Sequence, residues 1–321
     1  MYEPADPLLL DRDASRKHAQ TALEEPIAFL ADLVNYGTHL IPRALGKGDD
    51  DMSRLVVCGG LLKHIVSMLD AAVVLLENGH STTAMAQVRS AFEATLYLEF
   101  ILQKDTEYRA RVYLVGEYRR KLEFVLRALD PSTELGSFNE NHAHVGVSTQ
   151  TLSEDFKASG NKHVAEIRAT LSHLRLSGIN SLYQKKRGNR PFDPKWYELL
   201  DHKSIWQIAK VLKQGTAYEL WYNGGSQVIH AQSPTQHWSV QGDFAALKAV
   251  RHLEDAHAVK GGVGFIALRA YRLVIERYLP NEVQSFQQKY LSDWRKPFRS
   301  EVKVQYEFSG LTAETSSEMG G

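Results

Sequence analysis

Apolar residues recur at helical spacing through most of the chain, and this periodicity divides it into elements. From Ala14 to about Leu45 the spacing predicts two helices divided by Pro26, since an interior proline deletes a hydrogen bond and clashes with the preceding turn. GKGDDD then interrupts the pattern. Asp50 and Asp51 favour a helix N-terminus, so the next helix runs from Met52 to Asn78 and stops at Gly79, a C-terminal cap. Gly59 and Gly60 within it weaken the helix or mark close packing. Ser81 or Thr82 caps the following helix, which reaches Lys104, and the two form an antiparallel hairpin across the short turn. Thr106 to Leu129 is a further helix, with Arg109, Arg111, Arg119, Arg120 and Lys121 on its polar positions and Pro131 beyond its end.

The pattern is poorer from Ser132 to Asp201, where a helix over Val164 to Arg175 precedes a long polar connection, LSGINSLYQKKRGNRPFDPKWYE. Helical spacing returns at Ser204 to Leu212 and at Thr216 to His230, where Thr216 and Glu219 have capping-box spacing. Gly224 and Gly225 inside that helix imply a close helix crossing or a kink just before Ser226. Phe244 to Leu253 fits either strand or helix, Gly262 to Tyr278 is a helix, and a short helix follows at Glu282 to Trp294. The expected fold is therefore an all-α, multi-helix bundle. It comprises an N-terminal helical extension over 1–50, a main bundle over 51–294, and a flexible tail over 295–321 ending in the small polar run SGLTAETSSEMGG.

Composition narrows the function classes. With 321 residues and 43% hydrophobic content the chain can bury a sizeable core. Lysine plus arginine equals aspartate plus glutamate at 38 each, so no global field draws it to nucleic acid or to a membrane, and any such binding is local. The single cysteine, Cys58, excludes an internal disulfide framework and a multi-cysteine zinc site, and reads as a packed core residue. The N-terminus is not a signal peptide, and the most apolar run, MLDAAVVLLENGH, is shorter than a membrane span. The expectation is a soluble, cytoplasmic protein without membrane contact.

Two constellations carry candidate chemistry. In AMAQVRSAFEATLYLEFIL, Arg89 and Glu93 lie one helical turn apart among apolar neighbours, where charges need partners. In TAYELWYNGGSQVIHAQS, Tyr218, Tyr222, Ser226 and His230 fall at steps of four on one helical face. LLENGHSTTAMAQVRSAFEATLYLEF and YELWYNGGSQVIHA resemble the paired signatures of a widespread bacterial family of unknown function, an Arg-x-x-x-Glu helix and a Tyr-x-x-x-Ser-x-x-x-His helix. That family is similar to the HEPN superfamily of helical bundles. The resemblance implies metal-independent ribonucleases of toxin and phage-defence systems, or inactive relatives that bind RNA or protein partners such as an antitoxin, and it implies a homodimer.

By that resemblance His230 is the general base and Arg89 the phosphate stabiliser, with Glu93, Ser226 and Tyr222 beside them. A histidine can take the proton of a ribose 2′-hydroxyl while an arginine stabilises the charge that grows on the phosphate. The chain departs from the HEPN pattern in having no arginine four to six residues before His230. Two other stretches satisfy that spacing: Arg168 to His173, and Arg251 to His257 with His252 as the polar follower.

Other chemistries find less support. Ser226 and His230 lack a Gly-x-Ser-x-Gly elbow. Glu77 to His80 and Glu254 to His257 have di-iron spacing, but Gly79 breaks the first, and His142 and His144 near Glu140 read as surface histidines, so neither metal nor cofactor is expected. YQKKRGNRPFDPKWY interleaves Lys185, Lys186, Arg187, Arg190 and Lys195 with Tyr183, Phe192 and Trp196, a composition suited to neutralising phosphates and stacking bases of RNA.

Overall fold

The computed structural model describes residues 10–46, 52–133, 154–230, 237–241 and 244–304. They form α-helices and one antiparallel hairpin of two four-residue strands, β1 (Trp238–Gln241) and β2 (Phe244–Leu247), in which Trp238 pairs with Leu247. The architecture is all-α. Contacts divide the chain into two compact units: residues 1–48, 61–99 and 212–321 make the first, and residues 49–60 and 100–211 the second.

In the first unit, α1 (Arg12–Ala22) is capped by the Asp11 carboxylate, which accepts from the Ala14 amide at 2.8 Å. The break before α2 (Glu24–Leu45) falls at Leu23 rather than at Pro26. Pro26 is the third residue of α2, where an amide N–H would have no intrahelical partner, so it costs the helix nothing. Helix α3 (Met52–Glu77) and α4 (Ser81–Gln103) meet at the predicted glycine turn. Gly79 has φ +79°, the His80 amide donates to the Leu75 carbonyl and the Gly79 amide to that of Leu76, which together form a Schellman cap. His64 and Ser90 are hydrogen-bonded at 3.0 Å across the hairpin. Among the described helices α3 is the one long and apolar enough to cross a membrane by length and composition, and half of its most apolar stretch is buried inside the protein.

Helix α10 (Ala256–Tyr278) follows the hairpin, with α11 (Val283–Lys289) and α12 (Arg295–Arg299) after it. Leu30, Leu33 and Leu40 of α2 and Ile266, Ala270 and Val274 of α10 are buried, and the two helices pack along one another. Residues 10–46 are therefore part of this core and not an extension from it. The same holds for the start of the expected tail: buried Lys260 donates to the carbonyls of Pro297 and Ser300 at the end of α12. A cation among the free carbonyls of a helix C-terminus satisfies both. Residues 305–321 lie outside the described residues.

The second unit is built on α5 (Thr106–Leu129), with α6 (Glu154–Ser172) and α7 (Leu174–Arg187) against it. The segment read as a long polar connection is half helix, because α7 buries Leu176, Ile179 and Tyr183 at helical spacing and leaves Arg175, Lys185 and Lys186 exposed. The Tyr183 hydroxyl donates to the Val112 carbonyl at 3.0 Å, and a β-carbon on Gly116 would lie 2.5 Å from that hydroxyl. Arg119 holds Asp193 in a two-pronged pair at 2.8 Å per bond and reaches Asn180 at 2.6 Å, which ties the loop after α7 back to α5. A 3-10 turn at Trp196–Leu200 and α8 (Ile205–Val211) complete the unit.

Candidate functional site

Helix α9 carries the tyrosine row. It runs from Gly215–Ala217 through a π-helical stretch, Tyr218–Asn223, into Gly224–Ile229. Its start is fixed by Gln214, buried at the N-cap position: with its oxygen turned to Arg269, the carboxamide accepts at 2.9 and 3.0 Å. Arg269 of α10 also pairs with both oxygens of Glu99 on α4. The capping box suggested by Thr216 and Glu219 does not form; Glu219 instead accepts from the Asn223 side-chain Nδ2 at 2.6 Å.

Glycines set the helix crossings. A β-carbon on Gly225 would lie 2.6 Å from the Arg89 β-carbon and 2.7 Å from the Met85 carbonyl oxygen, so α9 touches α4 at backbone distance. On α10, a β-carbon on Gly262 would meet Val88 of α4 at 2.6 Å and the Trp221 ring at 3.1 Å. Of the expected alternatives for the glycine pair, a close crossing or a kink just before Ser226, the close crossing is realised. Trp221 packs towards α10, and its neighbour Tyr222 turns towards α4.

The π turn decides how the tyrosines meet. In an α-helix residues four apart are offset by about 40° around the axis, and the wider π turn reduces that offset. Tyr218 and Tyr222 stack with centroids 4.6 Å apart and planes 16° from parallel. The Arg89 guanidinium lies over the Tyr222 ring, 4.4 Å from its centroid. Burial, then the neighbouring Tyr222 and Glu219, push the Tyr218 hydroxyl above its ordinary pKa against the pull of Arg89, so it stays a neutral donor. Short π segments inside α-helices occur frequently at functional sites.

Arg89 and Glu93 share this region without pairing. Glu93 accepts from the Tyr97 hydroxyl at 2.7 Å, one turn along α4. Arg89 is half-buried, forms no ion pair among the described residues, and its Nε is buried without a hydrogen-bond partner. A buried guanidinium N–H left unpaired costs about 1–3 kcal/mol, more for a charged group, so an anion seated there would be favoured. His230 stands elsewhere: it is the exposed C-cap of α9, held by its backbone amide to the Ser226 carbonyl at 3.0 Å. Eight residues at 1.5 Å each put it about 12 Å along the helix from Tyr222, and its imidazole has no side-chain partner among the described residues. Arg89, Glu93, Tyr218 and Tyr222 thus converge, Ser226 follows the Gly225 crossing, and His230 lies at the far end.

The secondary candidates occupy other roles. Arg251 precedes α10 and donates to the Arg12 carbonyl at 3.3 Å. His252 packs at the start of α4, where its carbonyl accepts from Ser81 at 2.8 Å and its Nε2 meets the Thr82 hydroxyl at 3.2 Å. His257 is exposed on α10 and accepts from the Val302 amide at 3.2 Å. Arg168 and His173 are not on one helix, since α6 ends at Ser172 and His173 caps α7.

The interleaved basic stretch is largely spoken for by its own unit. Lys186 bonds the Glu198 carbonyl, Arg187 the carbonyls of Arg190 and Pro191, and Arg190 pairs with Glu198 at 3.3 Å. Trp196, expected to stack on RNA, is 9% exposed and packs edge-on against Tyr113 and Phe100. Lys185 and Lys195 remain exposed. Among the described residues no group of three His, Cys, Asp or Glu is placed to hold a metal, and residues 140–144 fall outside them.

Residues 55–244, which hold both the Arg89–Glu93 and the Tyr222–His230 signatures, match the model of the family of unknown function DUF5677. The chain belongs to that family. No curated protein and no solved structure matches the chain. The DUF5677 segment ends before Arg251, so the secondary candidates lie beyond it. Sequence reasoning missed the Gln214–Arg269–Glu99 lock that seats α9, which no local spacing signals, and the role of Tyr97, which its i+4 spacing from Glu93 does signal.

Proposed function

We propose that this DUF5677 protein is an HEPN-like, RNA-directed effector of a bacterial toxin or phage-defence system, acting as a homodimer in the cytoplasm. One observation carries the reading: Arg89, seated over Tyr222 with no carboxylate partner among the described residues, is a cation held ready for a phosphate. In the catalytic form of this reading the His230 imidazole takes the proton of a ribose 2′-hydroxyl. The 2′-oxygen attacks the adjacent phosphorus, the 5′-oxygen leaves and receives a proton, and Arg89 stabilises the charge on the phosphate. Cleavage requires the guanidinium to swing about Gly225, where its β-carbon rests, from Tyr222 towards Ser226 and His230.

The separation of His230 from Tyr222 favours a second reading, a non-catalytic helical module that binds RNA or a partner protein through Arg89 and the stacked tyrosines. Incubating the purified protein with total RNA and tRNA in chelator separates the two. The catalytic form predicts cleavage that His230→Ala abolishes, that Arg89→Gln reduces by roughly 100-fold as for loss of one transition-state contact, and that His257→Ala leaves intact. RNA retained but uncut by every form supports the binding module. RNA neither cut nor retained overturns RNA-directed function altogether.

A further inference from the structure

We propose that a cleft of the second unit, between α5 and the segment leading into the Trp196–Leu200 turn, binds a nucleotide, with its base against Phe124 and Phe192 and its phosphate at Arg127 and Lys195. The cleft has a volume of about 330 Å³, within the range of small-molecule sites. Its floor is Trp196 and Tyr113, rings 5.2 Å apart and edge to face, brought close because α5 carries Gly116 where a β-carbon would lie 3.3 Å from Trp196. Phe124 and Phe192 line the opening, each 60% exposed, and neither stacks on another ring of the described residues. Two large aromatic faces left to water around one cleft are what an unpaired base requires.

The charges around the cleft specify the rest of the ligand. Glu117 is occupied by Arg120 at 2.7 Å and Asp193 by Arg119. Arg127, Lys195 and Glu123 are the lining charges without an ion pair among the described residues. Two free cations fit a phosphate, and one free carboxylate accepts the N–H groups on the edge of a base. A nucleotide carries the ring, the anion and the N–H edge together, whereas an apolar ligand leaves the charges unmet and inorganic phosphate leaves the rings bare. A free mononucleotide and one unit of a single-stranded RNA share this chemistry.

Calorimetric titration of the full chain tests the proposal, with GMP, ribose 5-phosphate and a single-stranded RNA hexanucleotide as separate titrants. GMP or the hexanucleotide binds, and whichever is tighter identifies the source. Phe192→Ala and Phe124→Ala each weaken binding about tenfold, as for loss of one base–aromatic stack, while Phe192→Tyr keeps it. Both phenylalanines are exposed, so their loss does not endanger the fold. Ribose 5-phosphate binding as tightly as GMP, unaltered affinity in Phe192→Ala, or no heat from either nucleotide titrant at millimolar concentration overturns the proposal. Total RNA and tRNA neither cut nor retained by the parent, with GMP binding intact, would remove the function proposed above and leave this site standing.

Discussion

Gly224 and Gly225 are adjacent on one helix, yet alanine should act on them in opposite directions. Replacing glycine by alanine in a helix interior gains about 1 kcal/mol by restricting the unfolded chain. At Gly224 no atom lies within 4 Å of the added β-carbon, so the full gain is expected. At Gly225 the new carbon would sit 2.7 Å from the Met85 carbonyl oxygen and 2.6 Å from the Arg89 β-carbon. Neither neighbour is the free end of a side chain, so α4 and α9 must move apart, an overpacking cost of about 1–3 kcal/mol. Propensity cancels in the difference between the two variants, which isolates that cost at about 2 kcal/mol. Denaturant titration of the parent, Gly224→Ala and Gly225→Ala measures it. Moving α4 away also displaces Arg89, so Gly225→Ala should reduce whatever RNA cleavage or retention the parent has, and Gly224→Ala should not. If both alanines stabilise equally, the close crossing that carries the candidate site is wrong.

Three further outcomes follow from contacts elsewhere. Glu99→Ala strips Arg269 of its two-pronged partner in a largely buried setting and should cost about 2–3 kcal/mol in chemical denaturation, against less than about 1 kcal/mol for Glu117→Ala at its exposed partner Arg120. Burial, then Arg251, Arg12 and His252, hold the His80 imidazole below its ordinary 6.5, and burial outweighs Glu254 and Asp255 in lowering His252. The unfolded chain therefore binds protons that the folded one refuses: the stability associated with these groups is fully present above 6.5 and lost as pH falls from there through the lowered folded values. Denaturant midpoints taken from about pH 7.5 to 5 should fall less steeply in His80→Gln and His252→Gln than in the parent. Trp196→Ala empties a site walled by Phe100, Tyr113 and Tyr197 and should cost about 3–5 kcal/mol, whereas Lys185→Ala at an exposed position should leave the melting temperature within about 2 °C of the parent. A folded, stable Trp196→Ala would contradict the buried aromatic core of the second unit.

The elements were legible where one helix decides its own boundaries. Helix α5 occupies Thr106–Leu129 as its periodicity and the following Pro131 require, and Gly79 caps α3 because the left-handed backbone there is free only for glycine. The meeting of α4 and α9 was readable as a possibility from the glycine pair, and the shared surface of Arg89 and Tyr222 realises it. Helix α7 was illegible because its buried face is three residues wide among cations, a weak periodic signal.

Local order thus comes from the chain alone: backbone hydrogen bonds and steric limits act within one turn, so residue type and spacing suffice for most helices and for their ends. Which charges are spent and which remain free was settled only by tertiary packing. Arg187 and Arg190 are consumed by carbonyls and a carboxylate of their own unit, Trp196 is drawn into a core, and Arg89 is left facing an aromatic ring. Desolvation and pairing depend on side chains brought together from distant positions, and no local spacing encodes which of them will meet.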